Sequence, residues 1–269
     1  MIKIDEKTKK NYLDKVNPYR TNCESILIEE QEALALIIKN PDEAAYTHYK
    51  LADSQLNLIS NYLIIDSLSQ SFLSMKNEEA LNNARKAIYK SIIYLEKIVT
   101  NYIDAPFSSY EKQLSSIGNI DPFQRYHLVR KIGLSIQLLK NAYGDKSKWK
   151  WSFVEIEGRF AAVAKNLLNL RTVISDIELS SPYYEPVILH LGLVKNLLSQ
   201  TAERYREMYE VSTKRIDDFI QAINLLNALK RLNMLTGCAL EAAANKKKLD
   251  IWNQKLAVDM NIRKQAGRP

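Results

Sequence analysis

The run Lys146-Ser147-Lys148-Trp149-Lys150-Trp151 concentrates residue types able to do chemistry. An indole flanked by ammonium groups can stack on a nucleobase, anchor at a lipid interface or fill a partner's pocket. Lys148, Lys150 and Trp151 therefore form one candidate binding surface. At helical spacing Trp149 falls on an apolar row. Trp151 instead shares a line with Gly158, Lys165 and Thr172, the less apolar side of the same helix. The plainer reading is that Trp151 closes the end of a helical core while the lysines stay solvated.

A second candidate is Lys246-Lys247-Lys248 with Trp252, followed by Arg263, Lys264 and Arg268. Each cation could displace counterions from a polyanion. The competing reading is a solvated joint between helices and a basic tail. Tyr183-Tyr184, in the turn between Pro182 and Pro186, is a third candidate. Its rings either cap the core with wet hydroxyls or form a recognition patch on a loop.

Other chemistries find no support in the spacing. His48, His127 and His190 share no interval, and no Glu-x-x-His pair of a di-metal bundle occurs. Cys23 and Cys238 are far apart with no CxxC, so neither a disulfide framework nor a zinc site is expected. Adjacent acids such as Glu29-Glu30, Glu78-Glu79 and Asp217-Asp218 point about 100° apart on a helix and cannot converge on one bond. No Gly-rich phosphate loop, GxSxG or HExxH is present. The sequence nominates no catalytic residue, no cofactor and no metal.

The elements that must hold the candidates are helices. From Ser147 to Glu178 apolar residues recur at Trp149, Phe153, Ile156, Phe160, Val163, Leu167, Leu170, Ile174 and Ile177, alternating four and three. A second row, Val154, Ala161 and Leu168, predicts that this central helix buries more than one side. Further helices are expected over 22–39, 42–75, 77–102, 121–143 and from 186 onward. A phase change at Ser212 marks either a new helix or a rolling face. The last stretch reads as helix over 239–244, a joint at 245–248 and helix over 249–260. Asn40-Pro41 stops a helix, Asp121-Pro122 starts one, and Gly144 ends one.

With 7 Gly and 7 Pro in 269 residues the chain has few breakers, which favours long helices with short joints. The expected fold is all-α: an antiparallel multi-helix bundle of seven or eight helices around the central helix 147–178. The expected organisation is a polar N-terminal arm over 1–18, one helical domain over 19–260 and a basic tail over 261–269. The irregular loop 103–120 is the one internal boundary the pattern allows. Irregular helix starts argue against a solenoid repeat.

A net charge of +7 invites a nucleic acid or an anionic membrane surface, but acids are interspersed throughout. No apolar h-region opens the chain and no run approaches a membrane span, so a cytoplasmic protein without a transmembrane segment is expected. Together these features predict a non-enzymatic scaffold or adaptor that binds other proteins. The alternative is a polyanion-binding protein that uses the basic and aromatic patches.

Overall fold

The computed structural model describes residues 5–144 and 147–265, so Lys146, Arg268 and the start of the expected arm lie outside the described residues. All regular structure among them is helical, as predicted, and eight of the ten α-helices have 17 residues or more. No helix among them is long and apolar enough to cross a membrane. The chain forms two compact units that interleave in sequence. The first takes the chain up to Val99, Gln113–Ile120 and His127–Lys150. The second takes Thr100–Lys112, Asp121–Tyr126 and the chain from Trp151 onward.

In the first unit, α1 (Glu6–Lys39) starts long before Asn22, so residues 6–18 are helix rather than a loose arm. Tyr12, Val16, Cys23, Ile26 and Glu30 are buried at multiples of helical spacing, and Pro18 sits off that row. An interior proline costs about 3 kcal/mol; burial on both sides of it carries the helix through. Asp5 caps the start, accepting the Thr8 N–H at 2.6 Å.

A 3₁₀ turn at Pro41–Glu43 leads to α2 (Ala44–Leu73), and α3 (Glu78–Glu96) follows. Asn77 caps α3 by accepting the Ala80 N–H at 2.9 Å. The pairs α1–α2 and α2–α3 pack as successive hairpins. Buried Glu30 accepts hydrogen bonds from Lys90 at 2.8 Å and from the Tyr94 hydroxyl. The Tyr94 ring stacks on His48 at 5.7 Å.

The irregular region holds the short α4 (Glu111–Ser115). At the start of α5 (Pro122–Tyr143), Asp121 accepts the Gln124 N–H at 2.7 Å while the Gln124 side chain accepts the Asp121 N–H at 3.1 Å. The other end closes as expected at Gly144, whose φ is +81°. Lys76 donates to the last carbonyls there, Ala142 at 2.7 Å and Tyr143 at 2.9 Å, placing a cation at the negative helix end.

The second unit corrects the central rod. Helix α6 (Lys150–Asn166) covers about half of the expected 147–178, and only a short α7 (Val173–Asp176) lies beyond it. Both rows of α6 are buried, Phe153, Ile156, Phe160 and Val163 on one and Val154 and Ala161 on the other. The helix stops because the Asn166 amide donates to the carbonyls of Thr100 at 2.6 Å and Tyr102 at 3.2 Å. Past that point the four-three spacing persists without a common face, and Ile174 is 43% exposed.

Helix α8 (Tyr184–Met208) runs into a π-helical turn at Tyr209–Thr213, and Lys214 follows in the left-handed region at φ +55°. Helix α9 (Ile216–Leu235) begins there, so the phase change at Ser212 is a break. Gly237, at φ +72°, turns the chain into α10 (Ala239–Gln265). This helix runs unbroken through Lys246-Lys247-Lys248, and the expected joint at 245–248 is absent. Lysine is a good helix former, and buried Leu249 and Trp252 hold the stretch down. Helices α8, α9 and α10 pack in series.

Candidate binding surfaces

The aromatic-basic run divides between the units. In the first, Trp149 packs beneath the Arg85 guanidinium, 3.9 Å from the ring centre, and edge-on to Tyr143 at 6.4 Å. Exposed Lys148 places its ammonium 5.3 Å above the same ring, so it covers its own neighbour. Lys150 is exposed at the first position of α6.

Trp151 belongs to the second unit and is half-buried at a cleft of about 740 Å³. One wall is a single stripe of α6, Trp151, Glu155, Gly158 and Ala162, as helical spacing dictates. Other walls come from Tyr205 and Met208 of α8, Thr213 and Arg215 of the turn, and Asp217, Asp218, Gln221 and Asn224 of α9. Asp104, Glu155, Asp217 and Asp218 line it together with the guanidinium groups of Arg159 and Arg215. Buried Asp218 is held by the Thr213 hydroxyl at 2.5 Å, and an ion pair joins Glu157 to Arg204 on the same two helices.

Trp252 does not present a stacking face. It is 4% exposed and lies against Phe219 at 5.9 Å, with the Arg206 and Lys248 cations 5.5 and 5.2 Å from its centre. Lys248 also pairs with Glu203. Lys246 and Lys247 are exposed and have no ion-pair partner among the described residues.

The more informative feature of α10 escapes a reading that breaks the helix at 245–248. At 100° per residue, Leu240, Ile251, Val258 and Ile262 fall within about 40° of one another. They are 86%, 64%, 56% and 58% exposed. Ala242, Leu249 and Trp252, about 80° or more away, are buried. The helix is thus apolar on two sides, and the outward stripe runs about 33 Å. Six basic residues against three acidic ones, Glu241, Asp250 and Asp259, make the helix basic. The 11, 7 and 4 spacing was the available signal, visible only if the helix is taken as continuous.

Tyr183 is exposed and Tyr184 half-buried at the start of α8, as a turn before a helix allows. His190 is wholly buried; its Nε2 lies 3.0 Å from the Ala164 carbonyl oxygen, and burial holds its pKa down at about 4. Among the described residues, no three His, Cys, Asp or Glu side chains group as metal ligands would.

Residues 8–260 match the TP0443 family. No curated protein and no solved structure matches the chain.

Proposed function

The chain belongs to the TP0443 family, and we propose that it is a non-enzymatic helical scaffold or adaptor that binds a partner protein through the outward face of α10. The observation that carries this reading is the second apolar side of α10. Leu240, Ile251, Val258 and Ile262 face water while the first side rests on α9. Apolar area in water is unfavourable by roughly 25 cal/mol per Å², and a long apolar stripe on a soluble protein marks an interaction site. The fitting partner is an amphipathic helix with an apolar ridge and acidic flanks, meeting exposed Lys247 and Lys255, which lie about 20° beyond the two edges of the stripe. In this reading the protein works in the cytoplasm.

The same basic flanks favour a second reading, in which the helix face lies on an anionic membrane surface. A photo-crosslinking residue at Ile251, compared with one at exposed Lys112, separates the two. The protein-partner reading expects an adduct at position 251 that disappears with Val258→Asp and Ile262→Asp. An equal yield from both positions, or one indifferent to those substitutions, sinks it. Salt-sensitive binding to phosphatidylglycerol vesicles, lost with Lys247→Gln and Lys255→Gln, would replace it with the membrane reading.

A further inference from the structure

Lys165, near the end of α6, is 6% exposed. Its ammonium donates to the Ile103 carbonyl at 3.1 Å and to Asn166 Oδ1 at 3.0 Å, and lies 5.6 Å over the Tyr110 ring. These are neutral partners. No carboxylate pairs with it among the described residues, although a buried ammonium is costly without a counter-charge. The nearby acid, Asp104, pairs with Arg231, and both members of that pair are half-exposed. The Tyr110 hydroxyl, also buried, has no hydrogen-bond partner among the described residues.

Lys165 lines a cavity of about 450 Å³ within the second unit. Its apolar walls are Phe107, Leu170, Ala228, Leu232 and Leu235. The volume is that of a small-molecule pocket, mostly apolar with few polar groups to fix orientation. Two cations and one acid line it, and the acid is already committed to Arg231. The cavity therefore offers an apolar chamber and one unmatched positive charge.

We propose that this cavity binds a small amphipathic anion, a carboxylate whose head meets Lys165 and whose apolar tail lies against Phe107, Leu170 and Leu232. A carboxylate would supply the counter-charge that the fold leaves out, and the tail would be withdrawn from water. The site is separate from the face of α10, so either can fail without the other.

The charge on Lys165 is easily lost. Burial lowers its pKa to about 8, and the charged and titratable groups around it are Tyr110, Asp104 and Arg231. Calorimetric titration of the full chain with decanoate, and with decanol as the uncharged control, tests the proposal. Saturable decanoate binding at one site is expected, weakening as the pH rises past about 8. Lys165→Met should weaken decanoate at least tenfold, the scale of a charged hydrogen bond, and leave decanol unchanged. Leu232→Trp, which keeps the lysine and fills the chamber, should exclude both probes. Absence of saturable decanoate binding in the natural chain overturns the proposal. So does undiminished decanoate binding by folded Lys165→Met or by Leu232→Trp.

Discussion

The ring of Tyr205 lies directly on the bare backbone of Gly158: a Cβ built at Gly158 would meet Cε2 of the ring at 2.6 Å and its hydroxyl at 2.7 Å. Real Cβ atoms do not approach so closely, so α6 and α8 sit as near as they do because residue 158 has no side chain. Gly158→Ala should destabilise the protein by about 1–2 kcal/mol, overpacking outweighing the better helix propensity. Thermal melts check this. Gly158→Ala combined with Tyr205→Ala should cost less than the sum of the single changes, since the second removes what the first collides with. The emission of Trp151, on the same stripe, should shift in Gly158→Ala alone.

Glu30 and Tyr94 bring α1 and α3 together through a hydrogen bond to a buried carboxylate. Tyr94→Phe keeps the ring on His48 and removes only the donor. The expected loss is about 2 kcal/mol, the range for a hydrogen bond to a charged group. Denaturant unfolding should register it as a lower midpoint at an unchanged slope.

His190 gives the stability an acid limb. Burial lowers its folded pKa to about 4 from the 6.5 of an ordinary histidine, with the Arg125 charge adding to the effect. Above the unfolded pKa both states are neutral and the full stability is present. As the pH falls through the window from about 6.5 to 4, the unfolded chain takes up a proton that the native chain refuses, and stability declines. Across the whole window the loss is roughly 3 kcal/mol. In His190→Gln the difference from the natural protein should shrink by that order between pH 7 and pH 4 in urea titrations. A constant difference would remove the histidine from the account.

Ile251 and Trp252 are neighbours in sequence with opposite fates. Ile251→Asp replaces an exposed side chain and should change stability by no more than about 0.5 kcal/mol. Trp252→Ala empties a site against Phe219 and should cost roughly 3–5 kcal/mol. Comparable melting temperatures for the two variants would contradict the two-sided placement of α10.

Much of the helical frame is legible in the residues. Asn40-Pro41, Asn77, Asp121-Pro122 and Gly144 mark real ends, and the phase change at Ser212 marks a real turn. Of the candidate surface residues, Trp151 lines one cleft and Lys246 another; Trp252 is core, and Lys248 is tied to Glu203. The two features with most functional content, the outward stripe of α10 and the unmatched Lys165, are hidden in the residue pattern. Three consecutive lysines interrupt the first, and Lys165 falls on the less apolar side of its helix.

The sequence by itself determined the all-α class and most helix ends, because caps and apolar periodicity act between residues within a turn or two of each other. Tertiary structure decided where α6 stops, that α1 passes through Pro18, which side of α10 stays wet, and that Lys165 is buried. Those outcomes rest on partners distant in the chain, such as the Thr100 and Tyr102 carbonyls that hold Asn166, the Ile103 carbonyl that holds Lys165 and the Phe219 ring against Trp252. No local spacing encodes them.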